Sequence, residues 1–248
     1  MNKSLFGILT IVLAFSGIAQ ERVQRPTNRD YPRIAKLGKT INDFVPKGFE
    51  IYSQVSGDLN GDELPDAVLY LKGISNHFIT KLDFGEYDVN PRILIVLFQD
   101  TSGRGYRLEE RNDRFMATPD SPSHSEPFQS MSIKNRVLQM EFELWQSMGS
   151  WGASNATYKF RYQNRKVSLI GADREDYMRN AVEIYKESYN VLTRKVKSTE
   201  AIRKDIEDAD KYAKKEKIQW RRLSNVRMRT LTELGPAFSW EISRGTFL

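Results

Sequence analysis

The chain has 248 residues, with 38 Lys and Arg against 32 Asp and Glu, a formal net charge of +6, and no cysteine. Without cysteine there are no disulfides, no thiolate zinc site and no cysteine nucleophile, so the fold must rest on its core. The length suits one large domain or two small ones, and a single domain over residues 31–248 is expected.

Met1-Asn2-Lys3 is followed by an apolar run from Leu5 to Ala19, and then by polar Gln20 to Pro26. The run is shorter than the roughly 20 residues that span a bilayer, and Gly17-Ile18-Ala19 supplies small residues for cleavage. Residues 1–19 therefore read as a signal peptide and 20–30 as a linker. No transmembrane anchor is expected after cleavage, and the location is expected to be periplasmic or secreted.

From Tyr31 to Val45, apolar Ile34, Leu37, Ile41 and Phe44 recur at helical spacing before Pro46 and Gly48, which predicts a short N-terminal amphipathic helix. After Glu50 the period changes to two. Strands are predicted at Phe49 to Gln54, Asp66 to Lys72, Arg92 to Gln99, Tyr106 to Asn112, Ser130 to Lys134, Val137 to Gln146, Ala156 to Gln163 and Lys166 to Ala172. Asn164-Arg165 is short enough for a tight hairpin. Tyr185 to Ile202 reads equally as a strand hairpin or a helix, Lys204 to Lys217 has helical composition, and Lys217 to Leu223 alternates like a strand. The fold class is thus α+β, mostly β, built on an antiparallel sheet with a short N-terminal helix and a C-terminal stretch open to helix.

Charge is uneven. Residues 195–229 hold 12 basic and 6 acidic side chains, although the two signs are interleaved. Interleaving favours a solvated face over a polyanion site, and nucleic acid is not an expected partner.

One loop stands out. In Gly57-Asp58-Leu59-Asn60-Gly61-Asp62-Glu63-Leu64-Pro65-Asp66, the residues Asp58, Asn60, Asp62 and Asp66 fall at loop positions 1, 3, 5 and 9, with the Leu64 carbonyl at position 7. Calcium takes six to eight oxygens in such a loop, and three close carboxylates repel one another without a cation. A structural Ca2+ site on Asp58, Asn60, Asp62, Leu64 and Asp66 is expected. An EF-hand has Gly at position 6 and Glu at position 12, where this chain has Glu63 and Leu69, so a calcium switch is not expected.

The loop resembles the D-x-[DN]-x-D-x-x-x-D loops of dockerin modules and integrin-like FG-GAP blades. The order of Val45-Pro46-Lys47-Gly48-Phe49, the acidic loop, Arg111-Asn112-Asp113, Thr157 to Tyr162 and Ser188 to Thr193 resembles a group of uncharacterised exported bacterial proteins, over residues 45–199. That resemblance implies export and the calcium loop, with Gly usual at the position of Glu63; it carries no catalytic residue across.

Signals for catalysis are sparse. His77 and His124 lack metal-ligand spacing, and no nucleophile elbow or phosphate-binding glycine loop is present. Glu141 and Glu143 would share a strand face about 7 Å apart, a spacing compatible with glycoside chemistry but equally that of a wet strand face. Trp151, in the loop after Trp145, is a candidate to stack on a sugar ring or a partner. The expected function is an exported, non-enzymatic, calcium-binding domain that binds a protein or a glycan; the rival is an envelope-polymer hydrolase using paired carboxylates.

Overall fold

The computed structural model describes residues 23–83, 85–119, 121–202, 216–224, 226–243 and 246–248. The predicted signal peptide and most of the stretch of helical composition from Lys204 lie outside the described residues. The chain is mostly β. In order, the strands are β1 (Leu37–Gly38), β2 (Phe49–Gly57), β3 (Asp66–Gly73), β4 (Ile79–Leu82), β5 (Gly85–Asp88), β6 (Arg92–Gln99), β7 (Tyr106–Asn112) and β8 (Phe128–Lys134). They continue as β9 (Val137–Trp145), β10 (Gly152–Gln163), β11 (Lys166–Met178), β12 (Glu183–Asn190), β13 (Lys195–Ile202), β14 (Lys217–Arg222), β15 (Glu241–Ser243) and β16 (Thr246–Phe247).

Two antiparallel sheets carry the architecture. The first has the order β1-β7-β6-β3-β2, and the second β14-β13-β12-β11-β10-β9-β8. They meet where β2 lies beside β8. A side chain at Gly57 would put its Cβ 2.8 Å from Ile133 Cγ2, so that junction needs glycine. Val68, Tyr70, Leu94, Val96 and Phe98 of the first sheet share a core with Leu138, Met140, Phe142, Tyr158 and Phe160 of the second. The hairpin turns at Asn135-Arg136 and Asn164-Arg165 have positive φ at both residues, the two-residue geometry whose twist matches the flanking strands.

Strands β3 and β6 are buried on both faces, which is why they read as unbroken apolar runs. The outward side chains Leu69, Leu71, Ile93, Ile95 and Leu97 are covered by Tyr31, Ile34, Ile41, Phe44 and Val45. Those are the residues expected to form a helix, and no true helix forms there. The stretch runs as β1 and a single 3₁₀ turn at Ile41–Phe44, closed by Asp43, whose carboxylate accepts from the backbone N–H of Lys39 and Thr40. The extended path brings these apolar side chains onto the sheet face, and Pro46 stops the turn from propagating. The open choice at Tyr185 to Ile202 resolves to the β12–β13 hairpin, and β14 pairs with β13 as the alternation at Lys217 predicts.

The second sheet is larger than the first. Strands β10 and β11 run 12 and 13 residues against 8 in β6, or about 40 Å against about 26 Å at 3.3 Å per residue. The uncovered part of its inner face is filled by residues after β14, including Leu223, Leu231, Leu234, Ala237 and Leu248. Leu169 N–H donates to the Arg229 carbonyl, and Phe238 N–H donates to the Tyr158 hydroxyl at 2.8 Å. Farther along the same face, buried Glu187 accepts from Ser198, Tyr185, Tyr189 and Arg221. Burial raises the Glu187 pKa, but these four donors outweigh it and hold the carboxyl below its usual range.

A buried ion pair closes the other end of the interior. Arg92 is 1 % exposed and forks onto Glu126, with Nη1 at 3.0 Å from Oε1 and Nη2 at 2.6 Å from Oε2. Nη1 also donates to the Ala117 carbonyl. Truncating one partner strands the other charge. Arg92→Ala should therefore lower the unfolding free energy by about 3 kcal/mol, with a double replacement by Met and Leu recovering most of it, as measured by urea titration. The Glu187 contribution, present above the ordinary glutamate range, is lost as pH falls through its lowered folded pKa. The stability gap between wild type and Glu187→Gln should accordingly be wide near pH 7 and close as the pH drops below about 4.

Candidate functional site

The acidic loop joins β2 to β3 beside their junction with β8. Its side chains fold onto its own backbone. Asp58 Oδ1 accepts from Gly61 N–H at 2.6 Å, Asn60 Oδ1 from Asp62 N–H at 2.8 Å, and Asp62 Oδ1 from Leu64 N–H at 2.9 Å. These are the local turns that Asp and Asn favour. Glu63 has φ +67°, a left-handed conformation at the position where an EF-hand loop uses glycine.

Asp66 sits differently. It is fully buried, with Oδ2 accepting from Leu59 N–H and Asn60 N–H, and Oδ1 accepting from Gln99 N–H at the end of β6. Burial pushes its pKa up, while the three N–H donors pull the other way. Asn60 Nδ2 donates to Asp62 Oδ2, so both of these side chains are turned on each other. The Leu64 carbonyl accepts from Asp66 N–H. The guanidinium of Arg136, from the β8–β9 turn, approaches Asp58 Oδ2 at 3.5 Å and lies across Gly61, where a Cβ would meet Nη1 at 2.6 Å.

Calcium needs these oxygens to converge, and here several of them are engaged by backbone N–H groups instead. Among the described residues, no three acidic or histidine side chains come together in a group that could hold a metal. The carboxylate at loop position 9 is committed to the interior, and the nearest cation to Asp58 is Arg136. As arranged, the side chains of Asp58, Asn60, Asp62 and Asp66 are held by backbone N–H groups and by one another, and the Leu64 carbonyl by Asp66 N–H.

A second feature was not foreseen. At the end of the second sheet where Trp145, Gly152, Met178, Glu183, Ile202 and Lys217 begin or end their strands, a cleft of about 750 Å³ opens. Register explains its lining. Trp145, Ala153, Tyr177, Ile184 and Ala201 form one cross-strand row, and Leu144, Ser154, Asp176, Tyr185, Glu200 and Lys217 form the next. Adjacent rows face opposite sides of a sheet, so the cleft wraps the sheet end.

One wall is the loop 146–151. The Arg179 guanidinium lies 4.6 Å from the Trp145 ring and 5.5 Å from the Trp151 ring, while its Nη2 donates to the carbonyls of Gln146 and Ser150. Trp151 nevertheless stays 59 % exposed. It is an aromatic face held in place from behind. Asp176 is taken by Arg174 and Ser154, and Glu200 by Lys217 at 3.2 Å. Glu141 and Glu143 lie outside the cleft, and Glu141 accepts from Ser130 and Gln139. His124 lines the cleft but bonds to Ser121, and His77 packs edge-on to Phe78 far along the chain.

The chain matches no family model, no curated protein and no solved structure. Among the described residues, no helix is long and apolar enough to cross a membrane.

The thermal midpoint should be the same in chelator and in excess calcium. Asp66→Asn should cost about 2–3 kcal/mol, because its amide nitrogen would meet backbone N–H donors. Calorimetry checks both, and a calcium-dependent rise that Asp58→Ala abolishes would show a loop that rearranges around metal.

Proposed function

We propose that the protein is an exported, non-catalytic binding protein that receives a saccharide at the end of its seven-stranded sheet. Export rests on the N-terminal sequence pattern of residues 1–19. The observation that carries the binding reading is Trp151, exposed between the cleft-lining residues Ser150 and Gly152 and packed against Arg179, which bridges the carbonyls of Gln146 and Ser150. Sugar rings present flat C–H faces that stack on such a platform, and their hydroxyls need donors and acceptors nearby. The cleft offers both, with Tyr185 and Met178 as apolar surface and Glu183, Glu200 and Lys217 at its edge.

Its volume falls inside the range of about 300 to 1,000 Å³ typical of small-ligand sites, enough for a short oligosaccharide. Contact with Arg179 restrains Trp151 before binding, which lowers the side-chain entropy lost when a ring stacks on it.

Carboxylates line the cleft, which keeps glycoside hydrolysis in view as a comparison. Hydrolysis by this class of chemistry needs one free general acid and one nucleophile or base. Asp176 and Glu200 are engaged by basic partners, which leaves Glu183 without the second free carboxyl that such chemistry needs and favours binding over turnover.

Calorimetric titration of the mature chain with a panel of neutral tri- to hexasaccharides should yield at least one binder. Trp151→Ala should weaken that binder about tenfold, the loss of one stacking contact. Release of reducing ends from the same saccharides, or a panel with no binder at all, would contradict the proposal.

A further inference from the structure

The other end of the second sheet's last strand carries a separate surface. Strand β14 lies at the end of the sheet order, pairs with β13 on one side and with no other strand among the described residues, and is exposed along all six residues. Register places Trp220 opposite Lys197 and Arg222 opposite Lys195, and alternation puts Ile218, Trp220, Arg222, Lys195 and Lys197 on one face. Trp220 is 66 % exposed. Arg194, Lys195, Lys197 and Arg222 make no ion pair among the described residues, whereas Lys217 and Arg221 on the opposite face are engaged by Glu200 and Glu187. A shallow cavity of about 460 Å³ lies between Thr193, Arg194, Lys195, Trp220 and Arg222.

Basic side chains on an edge strand ordinarily guard it against pairing with other chains. Here the guard is incomplete, because the same face offers an exposed tryptophan and isoleucine between the charges. A second copy of β14 does not suit the edge, since it would add only further Lys and Arg to a basic surface, and the face-matched antiparallel register centred on Gln219 would set Lys217 against Arg221 twice, with like charges opposed. A strand with acidic residues at alternate positions does suit it. Its carboxylates would recur at about 7 Å on the face that carries Trp220, meeting Arg222 and the long side chains of Lys195 and Lys197, with their methylene stems laid over Trp220, and its backbone would pair with the free edge.

We propose that the free edge of β14 docks an acidic, extended segment of another polypeptide by strand addition, read by Arg194, Lys195, Lys197, Trp220 and Arg222. The surface is separate from the saccharide cleft in its lining residues, so either assignment stands if the other fails.

The probe is a labelled seven-residue peptide alternating Glu and Val, followed by fluorescence anisotropy with the full mature chain. Saturable binding is expected at low ionic strength, weakening steeply by about 0.5 M salt as the charges are screened. Trp220→Ala should weaken it about tenfold, and Lys195→Glu combined with Arg222→Glu should abolish it, with thermal midpoints of the variants unchanged. Methylating alternate backbone nitrogens of the peptide, which removes its capacity to pair as a strand, should also abolish binding. No saturable binding, binding indifferent to those variants or to the methylation, or capture of a sulfated polysaccharide in preference to the peptide would overturn the proposal.

Discussion

One buried amide pins the C-terminal residues to the sandwich. Asn112, at the end of β7, uses every hydrogen-bonding position it has: Oδ1 accepts from the N–H groups of Arg114 and Phe115, and Nδ2 donates to the carbonyls of Leu231 and Leu234. A fully satisfied buried amide is specific, because each displaced partner becomes an unpaired polar group in the interior. Through it the first sheet holds the segment that covers the inner face of the second. Phe115, fixed by the same side chain, packs edge-on against Phe142, Tyr158 and Phe160, and its carbonyl takes the N–H of Ala237.

That attachment matters because the sheets are unequal. Five strands face seven, and the longest strands of the second sheet outrun those of the first. The residues after β14 fill the inner face near β11, and Glu187 with its four donors occupies the stretch beyond as a polar interior. Among the described residues, the strand ends around Trp145 and Tyr185 and the outer edge of β14 are open to solvent. Both proposed binding surfaces follow from this mismatch in size, and neither depends on the acidic loop.

Much of the fold was legible in the sequence. Eight predicted strands fall on eight observed ones because alternation and β-branched runs are local signals, and Asn164-Arg165 announces its own hairpin. The predicted N-terminal helix failed because the spacing of Ile34, Ile41 and Phe44 served a flat sheet face, a tertiary demand that overrides periodicity. The acidic loop had the spacing of a calcium site, but spacing says nothing of direction. Asp66 opens a strand whose residues are buried, so its carboxylate turned inward to Leu59, Asn60 and Gln99, while Arg136 arrived from a hairpin 70 residues farther on. The cleft was illegible for a related reason: six strands contribute to it, and only their register brings the residues together. Trp151 alone carried a local signal, an aromatic residue in a glycine- and serine-rich loop.

The account depends most on the clamp at Asn112, and native-state hydrogen exchange of Asn112→Ala tests it directly. The amides of Leu169, Ala237 and Phe238, which bond across the clamped interface, should lose protection together, while those in the centres of β3 and β6 keep theirs. Wild-type protection at those three amides in the variant would contradict the claim that Asn112 holds the second sheet's cover in place.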